Sequence, residues 1–260
     1  MANYDVLGNL MVVKFGDEVK TGEKKKIAEK LLKEHKSVRT VVEKVDRFKG
    51  RLRTIKTRYL AGEKTKEVLY KENGCEFRFN VESCYFSPRL AGEREEIANK
   101  VKKGERVLVM FSGVGVYGIV IAKKKKAEVT CVELSRACNK YALENVKRNK
   151  VSVEIVQGDV RRVVGKGKKI SGKFDRIVMA RPNLKDSFLD VAFKVSKRGT
   201  EVNYYGFYSV EDAEEKGMLK KLILEEAKKA KKKVKILRMK RAGDIAPYKF
   251  RYRIDLKVLN

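Results

Sequence analysis

Residues 106–118 read Arg-Val-Leu-Val-Met-Phe-Ser-Gly-Val-Gly-Val-Tyr-Gly. Apolar, β-prone side chains give way abruptly to spaced glycines, a pattern that predicts a buried strand, a tight turn and the start of a helix. Gly113 and Gly115 let the backbone approach a ligand closely, and the amides at the N-terminus of the next helix supply hydrogen-bond donors. The stretch therefore predicts a cradle for a nucleotide-like cofactor. Spaced glycines also serve ordinary strand-to-helix turns, so this alternative stays open here.

A carboxylate in the next predicted strand favours the cofactor. That strand covers residues 128–134, and Glu133 lies 20 residues after Gly113. In doubly wound folds an acidic residue at this spacing accepts hydrogen bonds from the ribose hydroxyls of the cofactor. The glycine turn and the carboxylate together are stronger than either signal alone.

Strands and helices alternate through the rest of the chain. The apolar patterns predict helices over 116–125, 137–147, 188–195 and 210–232, and strands over 153–156, 174–180, 199–207, 234–239 and 250–259. The last two strands are joined by a Gly/Pro connection too short for a helical crossover, so they should pair antiparallel. Alternating βα units closed by such a hairpin are typical of the methyltransferase variant of the doubly wound fold. A dehydrogenase sheet would continue with another parallel strand.

The residues before this α/β pattern predict a smaller α+β unit. We expect a strand over 5–14, a helix over 24–35, and short strands over 38–45, 50–61, 68–72 and 76–81, with a hairpin turn at Asn73-Gly74. We place the domain boundary between residues 83 and 84, with 1–83 as the small basic domain and 84–260 as the larger one. Residues 84–104 form a proline-limited turn and a linker helix.

Nucleic acid is the partner that the charge favours. The 260 residues carry a formal net charge of +29, which a polyanion would offset. Six cations crowd two predicted strands of the small unit: Arg47, Lys49, Arg51, Arg53, Lys56 and Arg58. Strand alternation would aim Arg51 and Arg53 at one face, where they could hold phosphates, or they could guard a solvated edge strand. The scarcity of glutamine adds thermal adaptation as a second source of charge.

A membrane partner and a metal site are both disfavoured. We find no long apolar span, signal peptide or lipidation motif and expect a cytoplasmic, monomeric protein. The chain has four cysteines in no C-x-x-C pair and a single histidine, His35, so we expect no zinc site. We expect the cysteines to be reduced and mostly buried; a Cys75–Cys84 or Cys131–Cys138 bridge is the alternative in a hyperthermophile.

Several motifs together resemble one enzyme family, the archaeal and eukaryotic tRNA (guanine-37, N1)-methyltransferases. They are Tyr85-Phe86-Ser87-Pro88-Arg89-Leu90-Ala91-Gly92-Glu93-Arg94, Phe111-Ser112-Gly113-Val114-Gly115, Glu133, Gly158-Asp159 and Val202-Asn203-Tyr204-Tyr205. Shorter matches upstream, such as Leu60-Ala61-Gly62-Glu63, extend the resemblance over nearly the whole chain. The family's fold is a class I Rossmann-like domain preceded by a small RNA-binding domain, in agreement with the patterns above.

The resemblance implies S-adenosylmethionine as methyl donor and the tRNA anticodon arm as partner. Carried over by position, the donor-binding residues are Arg94, Phe111, Gly113, Gly115, Glu133, Leu134, Asp159, Val160 and Ala180. Among them Glu133 would bind the ribose and Asp159 the adenine. The residues implied for the target nucleotide are Tyr85, Arg89, Arg181 and Pro182.

The family resemblance also implies two catalytic residues. Glu93 would remove the proton from guanine N1, and Arg53 would stabilise negative charge on the base oxygen. Guanine N1 is protonated at neutral pH, so a carboxylate and an aimed cation suit this chemistry. Other interpretations stay open: Glu93 could be a helix N-terminal carboxylate paired with Arg94, and Tyr85 could be packing at a domain seam instead of stacking on the extruded base.

The chain departs from the family pattern at Ala180-Arg181-Pro182, where relatives usually carry Asn-Leu-Pro. An amide that would help hold donor or base is missing, which is compatible with the archaeal subgroup that also methylates a tricyclic wyosine precursor. Many relatives have a further N-terminal domain that reads the tRNA elbow, so we expect this chain to tolerate tRNA without an intact elbow. Two alternatives remain: an aminocarboxypropyl transferase of the wyosine pathway, and a catalytically silent tRNA-binding protein.

Overall fold

The first part of the chain folds as a four-stranded sheet covered by one helix. The structure is a computed structural model that describes residues 3–46 and 50–260. Strands β1 (Asn3–Leu7), β2 (Leu10–Lys14), β3 (Thr40–Lys44) and β4 (Thr57–Gly62) lie in that order, with helix α1 (Thr21–Glu34) between β2 and β3. Only the β2–β3 pair is parallel, because α1 provides the crossover that parallel strands need.

The single strand predicted over 5–14 is wrong, because a turn at Gly8 divides it into β1 and β2. Gly8 adopts φ 60°, and a Cβ there would lie 2.0 Å from the carbonyl oxygen of Leu69. Only glycine fits this close approach of two backbones. The predicted helix over 24–35 is confirmed by α1.

A two-stranded hairpin links the first sheet to the rest of the protein. It consists of β5 (Glu67–Glu72) and β6 (Cys75–Asn80), and Asn73 and Gly74 make the turn at φ 50° and 69°, as predicted. The backbone amides of Glu76 and Arg78 donate to the side-chain oxygens of Asn149 and Asn145, both at 2.8 Å. Amide side chains thereby satisfy the free edge of β6 and dock the hairpin on the larger unit.

The strand predicted over 50–61 is only half correct. Residues 51–53 form turns, Arg53 has φ 55°, and β4 begins at Thr57. Strand alternation therefore does not position Arg51 and Arg53. Arg47 and Lys49, counted in the same basic cluster, lie outside the described residues.

The larger part of the chain alternates strands and helices after a 3₁₀ turn at Pro88–Leu90. The helices are α2 (Ala91–Lys100), α3 (Val116–Lys124), α4 (Arg136–Arg148), α5 (Val160–Val163), α6 (Leu189–Lys194) and α7 (Met218–Lys229). The strands are β7 (Arg106–Met110), β8 (Glu128–Glu133), β9 (Glu154–Gln157), β10 (Phe174–Met179), β11 (Ser196–Ser209), β12 (Val234–Ala246) and β13 (Lys249–Val258).

These seven strands form one mixed sheet in the order β12-β13-β11-β10-β7-β8-β9. The five from β11 to β9 run parallel, and β13 and β12 close the sheet as an antiparallel hairpin. β7 is buried from Val107 to Met110 and lies near the middle, as its continuous apolar run predicts. The predicted methyltransferase variant of the doubly wound fold is confirmed.

The long helix predicted over 210–232 is interrupted. Residues 211–215 form a short π-helix, and α7 begins only after Gly217, which adopts φ 63°. An L residue with a side chain is disfavoured in that left-handed conformation, so Gly217 precedes α7 as its N-cap residue and does not lie in a helix interior.

All four cysteines are buried, as predicted, but they are not all reduced, and neither of the two bridges considered as alternatives is present. The structure joins Cys84, at the start of the linker, to Cys138 in α4, 54 residues apart, and Cys75 and Cys131 are buried and unbridged. The bridges considered from the sequence joined cysteines that are close along the chain. Cys131 points into the core from β8, whereas Cys138, on the following helix, lies against the linker. The bridge ties the linker to the larger unit.

Candidate cofactor and RNA-base site

A cleft of about 1130 Å³, including its open mouth, lies at the carboxyl edge of the parallel strands. The segments that follow β7, β8, β9 and β10 all contribute to its wall. Ligands of doubly wound sheets bind at this edge. Residues 51–53 of the first part of the chain and Arg251 of β13 complete the lining, so the cleft lies where the two parts of the chain meet.

The turn after β7 forms the floor of the cleft. Phe111, Gly113 and Gly115 have φ of 64°, 56° and 86°. For Phe111 this backbone conformation is uncommon, and its ring packs edge-on against Phe188, with centroids 5.0 Å apart. A Cβ at Gly113 would have the carbonyl oxygen of Tyr85 as its nearest neighbour, at 3.9 Å, so a side chain there would fill the space between turn and linker.

Glu133 closes β8 beside this turn. Its Oε2 accepts a hydrogen bond from the amide of Gly113 at 2.9 Å, and its Oε1 accepts one from the amide of Ser135 at 2.8 Å. These bonds fix the carboxylate in the cleft wall. Burial raises the pKa of Glu133 above its ordinary value, and the backbone hydrogen bonds only partly oppose the rise.

Asp159 follows β9 and caps α5, accepting from the amide of Arg161 at 2.9 Å. Its other oxygen, Oδ2, pairs with Nη2 of Arg51 at 2.8 Å. Burial favours a higher pKa, but the Arg161 amide and the Arg51 guanidinium outweigh it, and the pKa of Asp159 is lowered. The carboxylate expected to meet adenine is therefore also a contact between the two parts of the chain.

Arg94 lines the cleft but is held by a carboxylate from β5. Its Nε lies 2.5 Å from Oε1 of Glu72, its Nη2 bonds Oε2 of the same residue, and Nη2 also donates to the carbonyl of Ser87 at 3.0 Å. Both side chains are 3% exposed. This forked pair sets the linker against the β5–β6 hairpin.

Glu93 does not line the cleft. It is buried, Arg253 donates to its Oε1, and Nζ of Lys240 lies 3.0 Å from its Oε2. Tyr205, which does line the cleft, donates its hydroxyl to Oε1 of Glu93 at 2.9 Å. The hydroxyl of Tyr117 in turn donates to Tyr205 at 3.2 Å. Glu93 is thus connected to the cleft through a buried tyrosine.

Tyr85 lies between two cations in the cleft wall. The guanidinium of Arg53 lies over its ring, 3.5 Å from the centroid, and Arg251 approaches it from β13. Burial alone would raise the pKa of Tyr85, but the charges of Arg53 and Arg251 and their hydrogen bonds lower it. The two guanidinium groups come from parts of the chain about 200 residues apart in sequence.

Arg181 is buried beneath the loop that follows β10. It is 6% exposed and donates to three backbone carbonyls, those of Leu184, Asp186 and Tyr205. Its Nε is buried without a hydrogen-bond partner among the described residues. Arg181 therefore holds the loop closed, and with its neighbours Ala180 and Pro182 it lines the cleft.

The structure brings together most of the residues implied by the resemblance. The cleft lining includes Arg53, Tyr85, Arg94, Phe111, Gly113, Glu133, Leu134, Asp159, Val160, Ala180, Arg181 and Pro182. Gly115, Glu93 and Arg89 are not among the lining residues; Arg89 is exposed and pairs with Asp5 at 2.7 Å. The roles of all these residues remain predictions.

Sequence reasoning missed Tyr205 as a link to Glu93, and Arg251 and Arg253 altogether. The only signal for the arginines is their alternation with aromatic residues in Phe250-Arg251-Tyr252-Arg253. Alternation shows that a strand has two faces, but not that this strand places Arg251 at the cleft and Arg253 against Glu93.

The cleft residues fit a nucleoside-containing sulfonium donor. A carboxylate at the end of β8 suits the ribose, a second carboxylate after β9 suits the adenine, and a glycine turn open to the cleft suits the amino-acid tail.

Within residues 3–46 and 50–260, no group of His, Cys, Asp and Glu side chains could hold a metal ion. No helix in the described part of the chain is long and apolar enough to cross a membrane. Fold and cleft together define a class I methyltransferase.

Comparison with known families identifies the group. A family model described as the TRM5/TYW2 methyltransferase domain matches residues 68–237, and one described as the TYW2 N-terminal domain matches residues 1–65. The chain belongs to the TRM5/TYW2 methyltransferase family, so the predicted family and class of enzyme are confirmed.

The similar curated proteins include archaeal enzymes. The tRNA (guanine(37)-N(1))-methyltransferase Trm5b of Pyrococcus abyssi is 33% identical over 98% of this chain and 74% of its own length. The tRNA (guanine(37)-N(1))/4-demethylwyosine(37)-methyltransferase Taw22 of Nanoarchaeum equitans is 35% identical over 70% of this chain and 62% of its own length.

Solved structures of the family superpose over almost the whole chain. Trm5b from Pyrococcus abyssi gives a TM-score of 0.87 at 34% identity, covering 99% of this chain and 75% of that one. Trm5 of Methanocaldococcus jannaschii with adenosine gives 0.80 at 28%, covering 99% and 74%. A complex of aTrm5 with tRNALeu gives 0.82 at 28%, covering 99% and 72%. The adenosine complex supports the predicted nucleoside-containing cofactor.

Proposed function

We propose that this protein transfers a methyl group from S-adenosylmethionine to N1 of guanosine 37 in tRNA. The observation that carries the proposal is the cleft itself, in which the donor cradle and a cation of the first part of the chain, Arg53, meet at Tyr85. Trm5b and Taw22, at 33% and 35% identity, are named for methylation at this nucleotide. Residues 1–83 would bind the tRNA, and residues 84–260 would carry out the transfer.

S-adenosylmethionine supplies a sulfonium-activated methyl group, and the protein must present an extruded base to it. Glu133 and Asp159 hold carboxylates where ribose and adenine would lie, and Phe111 flanks the turn. Tyr85 offers its ring to the target base, since chemistry on a base edge requires the base to leave its stack. Arg53 stabilises negative charge on the base oxygen.

Glu93 is the proposed base for the N1 proton. It acts through Tyr205, whose hydroxyl joins its Oε1 to the cleft wall. Burial raises the pKa of Tyr205 well above its ordinary value, so this tyrosine stays neutral and can pass a proton without ionising. The carboxylate itself lies between Lys240 and Arg253, which keep it in position.

A second candidate is transfer of the aminocarboxypropyl group of the same donor. One observation favours it: the family model that matches residues 1–65 is the TYW2 N-terminal domain. The two reactions break different bonds to the same sulfur. Methylation of the tricyclic wyosine precursor at nucleotide 37, the activity for which Taw22 is named, belongs to the first reaction.

Product analysis with two labelled donors separates the candidates. The enzyme is incubated with a tRNA transcript bearing guanosine 37 and with tRNA carrying the tricyclic precursor, using donor labelled in the methyl or the carboxyl group. Label from the methyl group alone supports methyl transfer. Incorporation of label from the carboxyl group alone would show aminocarboxypropyl transfer and overturn the proposal. Binding of tRNA without incorporation of either label would show a catalytically silent tRNA-binding protein.

A further inference from the structure

The last three strands of the large sheet rise beyond its carboxyl edge. β10 ends at Met179, opposite Tyr204, but β11 continues through five more residues, from Tyr205 to Ser209. β13 stays paired along this length, and β12 stays paired with β13, with register shifts. At about 3.3 Å per residue the projecting part is about 16 Å high. We call it the extension: residues 205–209 and 240–253, with the turn at residues 247–248 as its tip.

The extension has two different faces. Cross-strand partners share a face, so Phe207 and Arg251 lie together, with the guanidinium 5.3 Å from the ring centroid, and Ser209 and Lys249 lie above them. Arg251 lines the cleft, so this face is turned toward the site. Asp212 accepts a hydrogen bond from Ser209 at 2.8 Å and lies 3.7 Å from Nζ of Lys216, so the cations Lys249 and Arg251 outnumber the acidic groups on this face.

The opposite face packs against the apolar core and carries paired acidic and basic groups. Tyr208 and Phe250 are cross-strand partners that pack against the apolar core beneath the sheet. Tyr252 donates its hydroxyl to Glu214 at 2.7 Å, and Asp244 lies opposite Phe250. Arg241, the cross-strand partner of Tyr252, pairs with Glu214 at 2.7 Å, so the charge of Glu214 is neutralised on this face.

An exposed aromatic residue stands at the tip. Residues 244–249 are all exposed, and Tyr248 is 81% exposed, more than any other large hydrophobic side chain of the described residues. Its carbonyl accepts a hydrogen bond from the amide of Val210 at 3.0 Å, so the backbone that carries the ring is anchored. The tip thus presents a π-face on an anchored support beside the cation of Lys249.

We propose that the cleft-facing side of the extension binds the single-stranded RNA segment that carries the target nucleotide, with Lys249 and Arg251 on its phosphates and Tyr248 stacked on a neighbouring base. The proposal rests on tRNA as the substrate and adds a contact surface to it. Aromatic rings beside cations bind unpaired nucleotides by stacking and phosphate contact. The formal net charge of +29 and the cationic face favour a polyanion over a protein partner.

The test compares variants at the tip with matched variants on the same hairpin. Binding and KM of a guanosine-37 tRNA transcript are measured for Tyr248→Ala, Tyr248→Phe, Lys249→Ala, Leu237→Ala and Lys235→Ala. We expect Tyr248→Ala to weaken tRNA binding by about 5- to 100-fold and Tyr248→Phe to restore it, since the phenyl ring still stacks. In a plot of the logarithm of the tRNA binding constant against the logarithm of the salt concentration, Lys249→Ala should make the slope shallower by about one. Leu237 and Lys235 are exposed on β12 outside the extension, and their variants should match wild type.

The outcomes separate this proposal from the proposed function. If the wild type methylates tRNA and Tyr248→Ala and Lys249→Ala bind it like the two control variants, the extension does not contact RNA and the methyltransferase assignment stands. Equal weakening by Leu237→Ala and Tyr248→Ala also overturns it, since no contact would then be specific to the tip. A wild type that neither binds nor methylates tRNA overturns both proposals together.

Discussion

Arg53 lies over the ring of Tyr85, with its guanidinium carbon 3.5 Å from the ring centroid. Arg53 follows a turn in the first part of the chain, whereas Tyr85 begins the linker to the second. A contact of this kind stabilises by about 0.5–2 kcal/mol. It brings the proposed electrostatic catalyst and the proposed base platform together, because the small unit contributes to the lining of the cleft.

The first prediction concerns the shape of the Arg53 side chain. Arg53→Lys keeps the charge but loses the planar fork that stacks on Tyr85 and could bond the base oxygen at two points. We expect the single-turnover methylation rate at saturating donor and tRNA to fall about 10- to 100-fold, and about 100- to 1000-fold in Arg53→Ala. Equal rates for Arg53→Lys and wild type would mean that charge alone suffices. Wild-type rates in both would remove Arg53 from the mechanism.

The second prediction compares two neighbouring carboxylates. Glu93 and Glu96 both pair with Arg253 and Lys240, but only Glu93 accepts a hydrogen bond from Tyr205. Glu93→Gln should lower kcat about 100-fold or more, as expected for loss of a general base, whereas Glu96→Gln should lower it far less. Donor affinity, measured calorimetrically, should be similar in both.

Glu96 is a suitable control for Glu93, because it is an ionised carboxylate in the same cluster of ion pairs. Burial opposes ionisation, but hydrogen bonds and charge from Arg253 and Lys240 hold the pKa of Glu96 at about 2. Its loss should therefore disturb the ion-pair cluster as much as loss of Glu93 does. Equal reductions of kcat in the two variants would mean that Glu93 is structural.

The third prediction is a pH dependence of donor binding. Burial raises the pKa of Glu133, and only the ionised carboxylate accepts hydrogen bonds from both ribose hydroxyls. Because the folded pKa is raised, protonation begins at a higher pH than for an ordinary glutamate at about 4.3, and donor affinity should fall as pH drops through this raised value. Titration calorimetry across about pH 4.5–8 measures it. Glu133→Gln should bind donor weakly and with a flat profile; a wild-type profile equally flat over that range would contradict the role given to Glu133.

The fourth prediction concerns the Cys84–Cys138 bridge. It closes a segment of 54 residues. A crosslink over a loop of this length restricts the unfolded chain by up to about 4 kcal/mol at 25 °C, so reductant should lower the free energy of unfolding by about 2–4 kcal/mol. Denaturant unfolding with and without reductant measures the change, and Cys138→Ser should be insensitive to reductant. An unchanged midpoint for the reduced wild type would show that the bridge does not contribute to stability.

Periodic patterns predicted the architecture well. The glycine turn, Glu133, the parallel strands and the closing hairpin all follow from local sequence, because a buried parallel strand and an amphipathic helix each have a period that the residues reveal. Errors occurred where backbone contact between distant segments decides the structure. The backbone of Leu69 lies against the turn at Gly8, and the residues around Gly8 do not predict this contact with a segment about 60 residues away.

The donor side of the site was more predictable than its substrate side. The residues predicted to bind the donor follow successive strands and share one edge of the sheet, so their proximity follows from topology. Arg251 and Tyr205 reach the cleft only because β11 and β13 continue past that edge, and strand length beyond a neighbour cannot be read from either strand alone. The burial of Glu93 against Arg253 has the same origin, since the arginine comes from the last strand of the chain.

Methyl incorporation into tRNA transcripts that differ only at nucleotide 37 tests the central claim most directly. Unmodified transcripts bearing guanosine, adenosine, cytidine or uridine at that position are incubated with methyl-labelled S-adenosylmethionine at the organism's growth temperature, and the methylated nucleoside is identified by mass spectrometry. The proposed mechanism predicts N1-methylguanosine in the guanosine transcript and background label in the other three. Absence of label from the guanosine transcript, or equal label in all four, would contradict it.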